Sequence, residues 1–312
     1  MFWEAVLCCP VRCLFKIQKM DNIAVFLTKD LKKLMKNKKI IFMGDSNIRA
    51  IYKDFLCLMK DDRIIPDRNL RAKLEDSVFG DRLLNRGEKT NARVYREERR
   101  STQCHVNVYF YFITKVFDEY VEDVLSRLRR GVRPDVLIVN SFLWDISRWG
   151  ADGVDTYKRN LNHLMDRLQS LVPDCLVIWM TTPPLSKNIR GGFLIPDLEF
   201  LKYSLRFHVL EGNNFASEVV INHGFDVVDA HYHLQHQIHR RADDGVHWKP
   251  KAVRFILNLL LSHISVAFNV PLPNHGPPQV TDDETQESGD QAATASTSAG
   301  DQQAAASTSG TY

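Results

Sequence analysis

The feature that most restricts the fold of this chain is a repeated alternation of short apolar runs with longer amphipathic stretches. The run Val136–Val139 is apolar at every position, as expected for a strand whose two faces are both covered. Similar runs occur at 40–43, 106–113, 176–181 and 225–228. The intervening stretches supply the crossovers that parallel neighbours need. The sequence therefore predicts an α/β fold with a central parallel sheet of about five strands and helices on both faces.

Composition changes predict the limits of the folded domain. From about residue 274 the chain consists mainly of Gly, Ser, Thr, Ala, Gln and Asp, and two near-identical decapeptides begin at Gly289 and Gly300. Such a segment cannot bury enough apolar surface to offset its chain entropy, so 274–312 is predicted to be a disordered tail. Residues 1–20 are predicted to be a flexible extension, which leaves 21–273 as the folded domain.

Within that domain, residues 60–98 are polar, charged and irregular, and they predict an insertion or lid rather than a second core. In the N-terminal extension, Pro10 and Arg12 interrupt the short apolar run, unlike the apolar region of a secretory signal. No run reaches the length of a membrane-spanning helix. We therefore expect a cytoplasmic or nuclear protein without a transmembrane segment.

Charge and cysteine usage narrow the function classes. The chain has 41 basic and 38 acidic residues, a formal net charge of +3, which does not predict a nucleic-acid-binding protein. The six cysteines lack CxxC spacing, so neither a disulfide framework nor a zinc site is favoured. Imidazole is a common zinc ligand, but the histidines between His231 and His247 have no matching cysteine or carboxylate pattern. We expect no metal and no other cofactor.

The tripeptide Gly44-Asp45-Ser46 follows the first predicted strand and begins a helix. Ser46 is thereby placed at the carboxyl edge of the sheet, where open α/β folds bind their ligands. The amide groups of a helix N-terminus favour the negative charge that develops in acyl transfer. Gly-Asp-Ser is also an ordinary turn and helix cap, so the tripeptide alone does not predict catalysis.

A second motif, Asp244-Gly245-Val246-His247-Trp248, lies after the last predicted strand and before the last helix. A nucleophilic serine needs an imidazole to accept its proton, and the imidazole needs a carboxylate to fix its tautomer. Asp244 and His247 can supply both groups, although a capping aspartate and a buried histidine would give the same pattern. Together with the first motif, they predict a triad of Ser46, His247 and Asp244.

Three further side chains are candidates for binding substrate. Arg49 lies one helical turn after Ser46 and could bind an anionic or polar acyl group, or form an ordinary salt bridge. Trp144 and Trp248 could form an apolar wall for an acyl or sugar group, or pack in the core.

The motifs carry a family resemblance over about 38–272. They include IIFMGDSNIRAIYKDF from Ile40, PDVLIVNSFLWDISRWG from Pro134 and DGVHW from Asp244. The chain resembles the PC-esterase domain-containing family, a branch of the SGNH/GDSL hydrolase superfamily. The resemblance implies a three-layer, flavodoxin-like fold and acyl-esterase activity, with Ser46 as nucleophile, His247 as general base and then acid, and Asp244 as its orienting partner.

The resemblance also implies an oxyanion hole. The main-chain amide of Ser46 and the side chain of Asn140, which ends the third predicted strand, are the donors that it suggests. The sequence from Asn140 to Asp145 diverges from the Gly-x-Asn-Asp usual in the superfamily. The leading hypothesis is a serine esterase or acyltransferase acting on an acyl ester of unknown identity. The alternatives are an inactive SGNH-fold binding or scaffold protein and, third, a metal-dependent hydrolase.

Overall fold

The computed structural model describes residues 23–87, 92–190 and 192–275. Those residues build one seven-stranded sheet, in the order β2-β3-β4-β1-β5-β6-β7. The strands are β1 (Lys39–Gly44), β2 (Arg82–Arg86), β3 (Glu97–Gln103), β4 (Val106–Phe112), β5 (Val136–Val139), β6 (Leu176–Met180) and β7 (Asp226–Val228). The predictions for the N-terminal extension and for nearly all of the tail lie outside the described residues.

The predicted number of strands is wrong, and the two additional strands share one property. Strands β4, β1, β5, β6 and β7 run parallel to one another and match the five apolar runs of the sequence. Strands β2 and β3 extend the sheet antiparallel beyond β4. Their sequences, RLLNR and EERRSTQ, are rich in charged and polar residues. An apolar pattern cannot identify strands of this kind.

Helices cover both faces of the sheet, which confirms the predicted three-layer α/β fold. They are α1 (Thr28–Leu34), α2 (Ser46–Lys60), α3 (Asp67–Arg71), α4 (Glu119–Arg130), α5 (Leu143–Arg148), α6 (Gly153–Leu171), α7 (Leu205–Asn222), α8 (Ala230–Leu234) and α9 (Pro250–Ala267), with 3₁₀ turns at Pro196–Tyr203 and Ile238–Arg240. Within the described residues, no helix combines the length and apolarity that a membrane crossing would need.

The two faces of β1 show how the core is divided. Ile40 and Phe42 pack with α1, α2 and α9, whereas Ile41 and Met43 pack with α4, α6 and α7. Successive side chains of a strand point to opposite faces, so a fully apolar strand serves both cores at once. This burial fixes the strand from which the chain turns into α2 at Ser46.

Residues 60–98 do not form a separate core in their described part. Leu70 and Leu74 are buried at 6% and 2% exposure and belong to the same core cluster as α2. Lys53 of α2 donates to the carbonyls of Asn69 and Ala72, at 2.9 and 2.8 Å. The segment is therefore attached to the helix that begins at Ser46.

Candidate active site

Ser46 is the first residue of α2, and only Asp45 separates it from the carboxyl end of β1. Asp45 caps the helix, because its Oδ1 accepts the Asn47 N–H at 2.8 Å. Position 44 needs glycine because neighbouring atoms lie too close for a side chain. A Cβ there would be 2.5 Å from Ile48 Cγ1 and 2.6 Å from the main-chain oxygen of Asn140. The turn therefore holds the Ser46 hydroxyl at the edge of the sheet.

The loop before α9 brings the second motif to the same place. Asp244 Oδ1 accepts the main-chain N–H groups of Val246 and His247, both at 2.9 Å. Gly245 adopts a φ of +81°, and a Cβ there would lie 2.7 Å from the Asn188 oxygen, so the left-handed conformation and the close packing both favour glycine. The tight turn orients the carboxylate toward the histidine ring three residues later.

The three side chains form a continuous chain of hydrogen bonds. Ser46 Oγ lies 2.6 Å from His247 Nε2, and His247 Nδ1 lies 2.8 Å from Asp244 Oδ2. A carboxylate only accepts, so Nδ1 carries the hydrogen in this pair and Nε2 is left to accept from the hydroxyl. Burial raises the pKa of Asp244, but the hydrogen bonds from the His247 ring and main chain outweigh it and hold that pKa well below its usual range.

A cavity of about 330 Å³ opens onto this hydrogen-bonded chain. Trp144 and Trp248 both line it, and Trp144 meets Phe112 edge to face with ring centroids 5.6 Å apart. Trp248 is 3% exposed and also belongs to the core cluster. Trp248 thus lies between the cavity and the core, and its contact with an acyl or sugar group stays a prediction.

Arg49 forms the salt bridge that was one of its two alternatives, and its binding of an acyl group stays a prediction. It lines the cavity, yet its Nη1 donates to Glu97 Oε2 at 2.9 Å and to Tyr95 Oη at 3.2 Å. Its guanidinium also lies over the Phe112 ring, 5.5 Å from the centroid. The charge of Arg49 is thus compensated by the buried carboxylate of Glu97.

The structure does not direct Asn140 toward the cavity. Its Nδ2 donates to the Met180 carbonyl at 2.8 Å and to Thr182 Oγ1 at 3.2 Å. An amide group has two hydrogens, so both are used between the ends of β5 and β6. In this conformation Asn140 offers no free N–H to an oxyanion. The main-chain N–H of Ser46 donates to no other described residue.

Sequence reasoning missed a group of basic side chains on the cavity wall. Lys73 comes from the segment between α3 and β2, Arg148 from the end of α5, and Arg190 from the loop after β6. Arg148 lies nine residues after the carboxyl end of β5. Ligands bind at this edge of a parallel sheet, so its position in the chain is the signal from which a role in the cavity could have been predicted. Lys73 and Arg190 lie in irregular segments that sequence patterns do not place.

Two histidines outside the triad motif, His231 and His263, are engaged in other contacts. His231 Nδ1 lies 2.9 Å from the Thr182 carbonyl oxygen, and His263 Nε2 lies 2.9 Å from Asp226 Oδ2. In the part of the chain that the structure describes, no group of three or more His, Cys, Asp or Glu residues is arranged to hold a metal ion.

Sequence similarity to curated relatives extends over most of the chain. It is 41% identical over 264 residues to PC-esterase domain-containing protein 1A of Homo sapiens, covering 83% of this chain and 58% of that protein. It is 37% identical over 254 residues to PC-esterase domain-containing protein 1B of Homo sapiens, covering 80% of this chain and 59% of that protein. The chain thus spans about three fifths of the length of these relatives. No family model matches.

Solved structures of similar architecture are more distant. A lipase/acylhydrolase from Enterococcus faecalis is 15% identical, with a TM-score of 0.44, and the match covers 76% of this chain and all of that one, 100%. A catalytic mutant of an acetylxylan esterase from Geobacillus stearothermophilus is 13% identical, with a TM-score of 0.44, covering 73% of this chain and 94% of that one.

Proposed function

Because the chain belongs to the PC-esterase domain-containing family, we propose that it is a serine esterase or acyltransferase acting on an acyl ester. The observation that carries the proposal is the chain of hydrogen bonds from Ser46 through His247 to Asp244, at 2.6 and 2.8 Å. In this proposal Ser46 is the nucleophile, His247 the general base and then acid, and Asp244 the group that orients and stabilises the imidazolium.

The reaction proceeds in two acyl transfers. Ser46 Oγ attacks the ester carbonyl as its proton passes to His247 Nε2, and the tetrahedral intermediate collapses when that proton is given to the leaving alkoxide. The acyl group is then bonded to Ser46 Oγ. Water, or a second alcohol in a transferase, attacks the acyl-enzyme while His247 takes its proton and returns it to Ser46. No cofactor takes part in this scheme.

Stabilisation of the oxyanion is assigned to the main-chain N–H of Ser46, at the positive end of α2. The second donor predicted from the sequence, Asn140, would contribute only after releasing Met180 and Thr182, to which both of its amide hydrogens are bonded. Loss of one such donor lowers the rate by about 10²–10³-fold in serine hydrolases. We therefore expect slow turnover of simple esters unless substrate binding rearranges Asn140.

Serine-probe labelling tests the proposal directly. An activated serine reacts with a fluorophosphonate, so the purified protein should be labelled at Ser46, and the Ser46→Ala and His247→Ala variants should not. With a small acetyl ester, Ser46→Ala should lose turnover while its far-UV circular dichroism and unfolding midpoint stay unchanged. Equal turnover by wild type and Ser46→Ala would refute the proposal.

A binding protein with the same fold is the second candidate. The observation in its favour is the engagement of Asn140 within the sheet, which leaves neither of its two amide hydrogens for an oxyanion at Ser46. This alternative predicts saturable binding of an ester or its product in the cavity without fluorophosphonate labelling. Labelling confined to Ser46 would exclude it.

A further inference from the structure

The cavity beside Ser46 is more basic than the chain as a whole. Its lining includes five basic side chains and two acidic ones: Arg49, Arg71, Lys73, Arg148 and Arg190 against Asp45 and Asp244. Asp244 is bonded to His247, and Asp45 is 2% exposed, with a pKa that burial raises. The entire chain has 41 basic and 38 acidic residues, so this excess of positive charge is local.

Two of the five cations are already compensated. Arg49 pairs with Glu97 at 2.9 Å, and Arg71 pairs with Asp67 at 2.9 Å. Among residues 23–87, 92–190 and 192–275, no carboxylate lies within ion-pair distance of the other three, Lys73, Arg148 and Arg190. The uncompensated positive charge of the cavity therefore belongs to these three side chains.

Arg148 is the buried member of this group, at 8% exposure. Its guanidinium donates to main-chain oxygens alone: Phe193 at 2.5 Å, Gly192 at 2.9 Å and Ser147 at 3.4 Å. These three bonds leave two of the five guanidinium hydrogens for a ligand. Burial lowers the pKa of Arg148, and no carboxylate offsets that cost. A buried charge without a counter-ion is unfavourable, and an anion bound at the cavity would compensate it.

The surroundings of Arg148 suit an anion attached to a carbon skeleton. The guanidinium lies over the Trp144 ring, 5.6 Å from its centroid, and Phe193 lines the same cavity. Lys73 also lies on the cavity wall, where desolvation and, to a smaller extent, the charge of Arg49 lower its pKa. Planar guanidinium groups bind carboxylate, sulfonate and phosphate oxygens in a forked geometry. The cavity thus offers an aromatic wall and an anion-binding end beside one hydroxyl nucleophile.

We propose that the ester bound in this cavity carries an oxyanion group, a carboxylate, sulfonate or phosphate, which binds to Arg148 with Lys73 and Arg190 while the ester carbonyl lies at Ser46. This inference rests on the proposed function for its reaction and adds the class of substrate. Arg148 acts as the anchor because its charge is buried and unpaired. Lys73 and Arg190 are exposed and add attraction that salt can screen.

Matched aryl acetates test the preference. The probes are 4-acetoxybenzoate and 4-acetoxybenzenesulfonate, which are anionic, and methyl 4-acetoxybenzoate, which is neutral, with each rate divided by the rate of alkaline hydrolysis. We expect the wild-type protein to favour the anionic esters in kcat/KM by about tenfold or more, the effect of one good charge-assisted contact. The preference should shrink when NaCl is raised from about 50 to about 500 mM. Equal normalised rates for the three esters would overturn the proposal.

Single substitutions identify the anchor. Arg148→Gln should reduce the anionic preference by at least about fivefold, and Lys73→Gln and Arg190→Gln by less. Arg63→Gln removes one positive charge from an exposed ion pair outside the cavity and should leave the preference unchanged. Since Arg148 also donates to three main-chain carbonyls, the exposed Lys73→Gln and Arg190→Gln variants keep the test available if Arg148→Gln fails to fold. A preference that survives in all three variants would contradict the assignment.

Binding separates this inference from the proposed reaction. The product analogue 4-hydroxybenzoate should raise the unfolding temperature of the Ser46→Ala protein, and the methyl ester of that analogue should do so less. In the double variant Ser46→Ala, Arg148→Gln, the two ligands should raise the unfolding temperature equally. If no ester is hydrolysed but this difference is observed, the reaction fails and the anion site stands. If neutral esters are hydrolysed through Ser46 and no difference is found, the reaction stands and the anion site is wrong.

Discussion

The antiparallel edge of the sheet and the carboxyl end of its parallel strands bury carboxylates in opposite ways. At the edge, Glu97 of β3 is fully buried, and it accepts from Arg49 at 2.9 Å and from Arg99 at 2.6 Å. At the carboxyl end of β5, Asp145 is 2% exposed, and it accepts from the Ser141 hydroxyl at 2.6 Å and the Val116 N–H at 2.9 Å. The first carboxylate has cationic partners, whereas the second has neutral ones.

The pKa of each carboxylate follows from its partners. Burial raises the pKa of Glu97, but Arg49 and Arg99 outweigh it and lower the pKa below its ordinary value. Burial raises the pKa of Asp145 to about 7, because two neutral donors do not compensate for the lost solvation. The difference shows that cationic partners lower the pKa of a buried carboxylate, whereas neutral donors alone leave it raised.

Helix α2 connects the two regions. Its first residue, Ser46, lies at the cavity, while Arg49 and Lys53, one and two turns later, bind Glu97 at 2.9 Å and Glu75 at 2.7 Å. A helix anchored by buried ion pairs has little freedom to shift. The edge network therefore helps to fix the position of the Ser46 hydroxyl relative to His247.

The largest effect should come from Asp244→Asn. Asn Oδ1 can keep the two main-chain bonds that Asp244 accepts, but the charge-assisted bond to His247 Nδ1 is lost, so stability should fall by about 1–3 kcal/mol. The amide group facing His247 Nδ1 favours the wrong tautomer, as with the equivalent substitution in trypsin-like proteases, and kcat should fall about 10³–10⁴-fold. Ester-hydrolysis kinetics measure the change in kcat, and denaturant unfolding measures the change in stability. A variant with unchanged kcat would show that Asp244 does not orient His247.

Arg99→Met should give the largest loss of stability at the edge. Arg99 binds Asp81 at 3.1 Å as well as Glu97 at 2.6 Å, and all three are buried. Substitution by Met leaves the buried carboxylates of Asp81 and Glu97 without this cationic partner. Breaking a buried ion pair in this way typically lowers the free energy of unfolding by about 3–5 kcal/mol. The control is Arg100→Gln on the exposed face of the same strand, with an expected change within about 0.5 kcal/mol. The urea unfolding midpoint of Arg99→Met should lie well below that of Arg100→Gln. Similar midpoints would rule out a stabilising network.

Asp145→Asn should change how stability depends on pH. The folded pKa of about 7 exceeds the ordinary aspartate pKa of 3.8, so between these two pH values the folded state binds more protons than the unfolded state. Stability from this group is complete below pH about 4 and is lost as the pH rises through about 7, a difference of up to about 4 kcal/mol. Unfolding free energies of wild type minus variant, measured from pH 4 to 8, should decline with pH. A constant difference would mean that Asp145 stays ionised.

Sequence patterns predict the parallel region well because burial there is apolar. The run Val136–Val139 is buried at each position, and period and composition suffice to recognise such a strand. The motifs around Gly44 and Gly245 are visible in the sequence, but the contacts that exclude a Cβ there involve Asn140 and Asn188, which lie far away in the chain. The meeting of Ser46 and His247, 201 residues apart, follows from strand order in a doubly wound sheet.

The antiparallel edge could not be predicted in the same way. Strand β3 reads EERRSTQ, and its buried positions are explained only by partners that lie elsewhere in the chain, such as Arg127 on Glu98 at 2.8 Å. The engagement of Asn140 with Met180 and Thr182 depends on the register between strands, and the basic cavity wall depends on loops. Tertiary pairing determines these features, and no local pattern encodes it.

The smallest effect should come from the half-exposed ion pair between α6 and α7. Lys158 Nζ lies 2.6 Å from Glu211 Oε1, with the side chains 30% and 49% exposed. Water solvates both charges, and holding two long side chains in place costs entropy, so Glu211→Gln should lower stability by less than about 1 kcal/mol. Added salt should reduce the difference further. Urea unfolding at low and high salt measures the loss of stability in Glu211→Gln, and the same measurement on Arg99→Met gives the comparison. If the two losses were equal, burial would not be what makes the edge network strong, and the contrast between paired and unpaired buried carboxylates would need another cause.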